Sequence, residues 1–174
     1  MRLILIRTGP EFIQGRCNAP RTREWTRAGF TYFCRDGRQY YNNSRGEEEV
    51  VTGYRSILRL EAEPGSSVDY DAIERGNGFN SVIPGTYSAR MVAPARRIIR
   101  IYGNFLIHAS DVPGKLDGCI APGREKTPNG VGHSREALDE ILEAFGGWAR
   151  RRAVPLVVQR IIPRSQARTW SGLT

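Results

Sequence analysis

Histidine and cysteine are scarce in this chain of 174 residues, which has two His and three Cys. The cysteines, at 17, 34 and 119, form no Cys-x-x-Cys pair, and that excludes the usual zinc knuckle. Lysine is nearly missing: all but two of the 26 basic residues are Arg. No run approaches the roughly 18 apolar residues that a membrane-spanning helix needs, so no membrane partner is expected. The opening MRLILIR has four apolar residues between two arginines, too few for a signal-peptide core. The expectation is that the chain starts in the cytoplasm and reaches any outside site by another route. Internal repeats are absent. A nucleic-acid partner is not supported, because there is no basic helix with heptads, no RNP pattern and no zinc-finger spacing. Nor is there a cofactor motif, so no cofactor is expected.

What remains is an ordinary globular composition, 40% hydrophobic and 25% charged, of a length that fits one domain. The net charge of +8 is uneven. Residues 1–46 carry nine Arg against three acids, residues 47–149 eleven basic against fifteen acidic groups, and residues 150–174 six Arg and no acid. Basic ends of this kind suit an anionic cell-wall polymer, an acidic partner protein or simply a solubilising surface. The reading is one domain over residues 1–162, with 8–46 an inserted Arg- and aromatic-rich segment and 163–174 a basic tail. Arg and aromatic content of that sort also fits an interface with other subunits.

Apolar patterning predicts many strands. RLILI (2–6) reads as a strand buried on both faces, and FTYFCRDGRQYY as a hairpin turning at Asp36-Gly37. YRSILRLEAE (54–63) is a strand closed by Pro64-Gly65, whereas VDYDAIER (68–75) reads as a helical turn. IPGTYSARMV (83–92) is a turn and a strand, with Tyr87, Ala89 and Met91 on one face. RIIRIYG and FLIH pair around Gly103-Asn104, which places His108 at a strand end. A long helix is predicted from Ser134 to Arg150, with Ser134 as N-cap, Leu138, Ile141, Leu142 and Phe145 on one face, and Arg150–Arg152 closing it. PLVVQRII (155–162) is a last strand. The expected class is α+β, mainly β: an antiparallel sheet, sandwich or barrel-like core with one long C-terminal helix followed by a strand.

Against that background the stretch FLIHASDVPGKLDGCIAPG, residues 105–123, stands out. It puts a scarce His108 and a scarce Cys119 eleven positions apart, in a loop of Gly, Pro and Asp that follows an apolar strand. A thiol beside an imidazole is a nucleophile–base pair, because the imidazole raises the thiolate fraction. Asp111 or Asp117 would orient the imidazole as a third member, and a turn at Gly118 would expose backbone N–H groups for an oxyanion hole. Ser110, Gly118, Arg124, Ser134 and Arg135 flank the pair as candidate substrate-binding positions. The structural alternative makes Cys119 a small core hydrophobe, His108 a hydrogen-bond donor to the loop, Ser134 and Arg135 a helix cap and anchor, and His133 a solvated residue before the cap. A metal alternative draws on His108, Asp111, Cys119 and His133, whose long gaps and unrepeated spacing speak against it. Cys17 and Cys34 would bridge if the protein resides outside the cytosol.

Residues 83–92 and 105–138 resemble an uncharacterised family of phage- and bacterium-encoded domains. Its members share IPxGTY, IHxGN, GCI and GVxxSRxAL, which read here as IPGTY, IHASD, GCIAPG and GVGHSREAL. More loosely the chain is similar to the L,D-transpeptidase catalytic domain, through the strand end at His108 and the Gly118-Cys119 turn. Leu116-Asp117 and Ala121 depart from the pattern of that turn. The resemblance implies a peptidoglycan-acting cysteine domain, with acyl transfer or hydrolysis at Cys119 and a cell-wall peptide as substrate. The alternative is a non-catalytic virion module of the tail or baseplate, using residues 8–46 and 163–174 to meet other virion subunits.

Overall fold

The structure, a computed structural model, describes residues 1–7, 12–14, 24–27, 29–75, 82–92, 97–116, 118–146 and 153–159. Its frame is a long hairpin of β7 (Thr52–Glu63) and β8 (Ser66–Arg75), turning at Pro64-Gly65 with Gly65 at φ 83°. VDYDAIER is therefore strand, not a helical turn. Pairing with β7 along its whole length outweighs the weak local preference.

The sheet closes on itself. β1 (Arg2–Ile6) pairs antiparallel with β7 and parallel with β15 (Ala153–Val158). From β15 the order runs through β9 (Gly85–Val92), β10 (Ile98–Tyr102), β11 (Phe105–Ile107) and β12 (Ile120–Gly123) back to β8. Eight strands thus form a barrel-like sheet, the size whose interior side chains can fill. Leu3, Leu5, Leu58, Leu60, Ile99 and Ile107 lie in that interior. At one end Arg7 donates two hydrogen bonds to the buried Glu74 carboxylate, at 3.0 and 2.7 Å, and one to the Val82 carbonyl at 2.6 Å.

The helix α1 (Ser134–Ala144) joins the same core through Ala137, Leu138, Ile141 and Leu142, followed by Phe145. It is shorter than the periodicity suggests. Gly146 takes a left-handed φ of 94° and its N–H bonds the Glu143 carbonyl at 2.8 Å, which ends the helix before the arginines. Arg150–Arg152 lie outside the described residues. The mainly-β, α+β class holds, with a helix of eleven residues in place of a long one. Among the described residues no helix is long and apolar enough to cross a membrane.

A second layer covers the outer side of β8 and β12. It consists of loop residues 108–116 and a hairpin of β13 (Glu125–Thr127) with β14 (Gly130–Gly132), and beside it β2 (Phe12–Gln14) continues the main sheet by pairing antiparallel with β7. Ile13, Ile73, Leu116, Cys119, Ala121 and Val131 form its apolar cluster. Arg55, buried in β7, holds the hairpin by donating to the carbonyls of Gly130 and Thr127 at 2.7 and 2.5 Å.

A separate four-stranded sheet contains β3 (Trp25–Arg27), β4 (Phe30–Arg35), β5 (Arg38–Asn42) and β6 (Glu48–Val50). The expected hairpin turns at Asp36 and Gly37, both at positive φ (50° and 72°), as a two-residue turn requires. The fully buried Arg75 guanidinium, at the end of β8, lies 5.3 Å from the ring centroids of both Tyr32 and Tyr41, joining this sheet to the barrel. Cys34 is disulfide-bonded, whereas Cys119 is a buried thiol outside any disulfide. Cys17 and the tail 163–174 lie outside the described residues.

Candidate functional site

His108 and Cys119 stand on neighbouring strands. β11 and β12 run parallel, with Ile107 opposite Ile120, and the His108 N–H extends the ladder to the Ile120 carbonyl at 3.1 Å. Ile107 and Ile120 point into the barrel core. Alternation along a strand therefore turns the flanking Leu106, His108, Cys119 and Ala121 to the outer face. Cys119, Ala121 and Leu106 indeed share the outer cluster. In this register His108 lies across from Ala121 and one diagonal step from Cys119. Diagonal neighbours across a sheet are about 7–8 Å apart at the backbone, within reach of long or aromatic side chains.

The two differ in exposure. Cys119 is 6% exposed, and its Sγ lies within sulfur hydrogen-bonding range of the Asn104 carbonyl, at 3.8 Å. Gly118, at φ 82°, provides the left-handed residue that turns the chain into β12 just before the thiol. His108 is half-buried, and its Nδ1 lies 3.1 Å from the Ala109 carbonyl. A carbonyl only accepts, so this contact requires Nδ1 to carry the proton and leaves Nε2 as the basic nitrogen.

The loop that carries His108 is braced from three sides. The Ser110 N–H donates to Ser134 Oγ at 2.9 Å, and Ser110 Oγ donates to the Val112 carbonyl at 2.9 Å. The Val131 N–H donates to the Asp111 carbonyl at 3.1 Å. Pro113 presses on β7 so closely that a Cβ at Gly53 would lie 2.5 Å from its own Cβ.

Several expected roles change. Asp111 is exposed, no ion pair joins its carboxylate to His108, and it contributes its backbone carbonyl to the brace. Asp117 lies outside the described residues. Ser134 is not the N-cap but the first residue of α1; the N-cap is His133, at φ 52° and ψ 40°. The Ser134 hydroxyl faces the loop instead. Arg124 pairs with Glu140 of the helix. His133 is exposed between Glu125 and Glu136, with ring nitrogens 3.6 and 3.7 Å from their carboxylates. Among the described residues no three His, Cys, Asp or Glu side chains gather as a cation site, so the four metal-ligand candidates do not assemble one.

Beside His108 an open cavity of about 310 Å³ lies between β10, β11 and the start of α1. Its polar lining is His108, Arg97 and Arg135, and its apolar lining is Ile98, Leu106, Ala109 and Leu138. Arg97 is bonded to Asp139 at 2.6 Å. The motifs singled out His108 and Arg135 but not Arg97. No local signal marks Arg97, which reaches the cavity only because β10 lies between β9 and β11. No protein-family model matches this chain, and neither a curated protein nor a solved structure matches it.

Proposed function

We propose that this is a phage-type cysteine acyl-transfer or hydrolytic domain acting on cell-wall peptides, with Cys119 as nucleophile and His108 as base. One observation supports the reading: His108 and Cys119, eleven apart in sequence, stand on neighbouring strands one diagonal step apart, His108 lines an open cavity, and its imidazole is oriented by a carbonyl at Nδ1. In the proposed reaction Nε2 takes the thiol proton and Sγ attacks the peptide carbonyl carbon. Backbone N–H groups at the Gly118 turn stabilise the oxyanion. The tetrahedral species collapses as the imidazolium returns its proton to the leaving amine. An amine or water then displaces the acyl group from sulfur. The third member is the Ala109 carbonyl, in place of an aspartate.

The test is release or exchange of the terminal residue of purified peptidoglycan stem peptides, followed by mass spectrometry. The parent chain is expected to be active, and Cys119→Ser and His108→Ala to lose about a thousandfold or more. An active Cys119→Ser protein would sink the proposal.

A second reading is favoured by a different observation. On the four-stranded sheet Arg35 stacks over Phe33 and Tyr40, at 5.8 and 4.6 Å from their centroids, while about half exposed. Stacked arginine and aromatics suit a protein interface. In that reading the chain is a non-catalytic virion module, and its stem-peptide assay is blank.

A further inference from the structure

We infer that the outer wall of the barrel at β9 and β10 is a binding site for a phosphomonoester, held in its doubly charged form by the facing arginines Arg90 and Arg100. The site is independent of the proposed reaction. It lies on strands that carry neither His108 nor Cys119, so a blank stem-peptide assay leaves it standing.

The register sets the two side chains against each other. Ala89, Met91, Ile99 and Ile101 lie in the barrel core, so alternation turns Arg90 and Arg100 outward. They are directly opposite in the antiparallel pair, and both are exposed. Directly opposed side chains have Cβ atoms about 4.5–5.5 Å apart, and like charges so placed destabilise a sheet. Elsewhere the fold answers such charges. Arg2 faces Glu61 and Arg59 faces Asp69, each in an ion pair. The facing arginines of the small sheet, Arg35 and Arg38, have Glu48 bonded to Arg35. Among the described residues no carboxylate pairs with Arg90 or Arg100. The strands β15, β9, β10 and β11 contain no Asp or Glu. On the far side of each arginine the facing residue is apolar, Ala153 for Arg90 and Leu106 for Arg100.

Two guanidinium groups decide the charge of the ligand and its number of oxygens. A carboxylate has one charge and two oxygens, which a single fork of donors satisfies. A phosphodiester also has one charge. A phosphomonoester carries about −1.5 to −2 at neutral pH and three strong acceptor oxygens, enough for both forks. Side chains as long as arginine, starting about 5 Å apart, reach one such group together. Ser88, exposed and next on the same face of β9, adds a hydroxyl beside them. The bound anion replaces the repulsion between Arg90 and Arg100 with a shared partner.

Titration of the full chain with glycerol 1-phosphate tests this, followed through the backbone and Nε resonances of Arg90 and Arg100. Saturable shifts are expected at both residues. Affinity should fall as pH is lowered through about 6, where the monoester takes up a proton and the guanidinium groups keep theirs. Dimethyl phosphate, a diester of single charge, should bind about tenfold more weakly, the size of one charge-assisted contact. Arg90→Gln and Arg100→Gln should each lose a similar factor for the monoester. Arg90→Glu should abolish binding and raise the unfolding midpoint, because it turns the facing pair into an ion pair. No saturable shift, equal binding of dimethyl phosphate or acetate, tighter binding of inorganic phosphate than of the monoester, or unchanged affinity in Arg100→Gln would each overturn the inference. An unfolding midpoint that Arg90→Glu does not raise would also overturn it, since the two arginines would then not stand as an unanswered facing pair.

Discussion

At Gly130 there is no space for a side chain: a Cβ there would lie 1.7 Å from the Asp111 carbonyl oxygen. That oxygen also accepts the Val131 N–H, so Gly130→Ala must push the His108 loop away from the β14 strand. The expected cost is about 1–3 kcal/mol, read as a fall in unfolding midpoint, together with slower thiol chemistry at Cys119. A Gly130→Ala protein with unchanged stability would mean that the loop is not braced there. Gly118→Ala is a milder probe, because φ 82° is open to glycine at no penalty and costs an L-residue about 1–2 kcal/mol. The residues of the site were legible unevenly. His108, Cys119 and Gly118 announced themselves by rarity and local pattern. The Ala109 carbonyl could not, since any residue carries one, and an aspartate is the more visible candidate for its place. Ser134 was visible as a hydroxyl at a helix start, but its partner is the Ser110 N–H, a contact set by the loop and not by the helix.

Helix α1 is an element whose apolar face was plain in the sequence and whose ends were not. Ile141 and Leu142 are fully buried in the barrel core, and Ile141→Ala should cost about 2–5 kcal/mol in chemical denaturation. A loss below about 1 kcal/mol would show that the helix lies on the barrel and not in its core. At its N-terminus the Glu136 carboxyl is held below the ordinary glutamate range, first by its own backbone N–H and then by His133 and Arg124. A depressed pKa in the fold contributes stability that is complete above the ordinary glutamate range and fades as pH falls through the lowered value. Protection of the first-turn amides, measured against their intrinsic exchange rates, should therefore fall below that range in the parent, and Glu136→Gln should remove the dependence. The strand register of β8 was beyond local reading. Asp69, Asp71 and Glu74 break its apolar pattern, and only pairing with β7 and β12 fixes it as a strand. The β13–β14 hairpin, three residues a side and rich in charge and glycine, has too little pattern to be seen without Arg55 and the loop it meets.

The whole molecule explains why the site lies where it does. Closing eight strands leaves β11 short and joined to β12 by a single parallel pair, and the chain between them must loop over the outer face. That loop, braced by the hairpin and by Ser134, starts at His108, on the strand next to the one that Cys119 leads into. The mainly-β class was expected, with a barrel-like core as one of three forms, but strand order and closure are non-local properties that no segment states. Burial of Arg75 between Tyr32 and Tyr41 makes the small sheet part of the same body, so Arg75→Met should weaken both and lower the unfolding midpoint as one transition. Two separated transitions would show the small sheet to be independent. The central claim, that His108 serves as base to Cys119, is tested most directly by the pH dependence of Cys119 alkylation by iodoacetamide in the folded chain. The account predicts a reactive thiol with a plateau at neutral pH, and a shift of that profile to the alkaline range of an ordinary thiol, about pH 8–9, in His108→Ala. A thiol that is inert until the protein unfolds, or a profile that His108→Ala leaves unchanged, would contradict it.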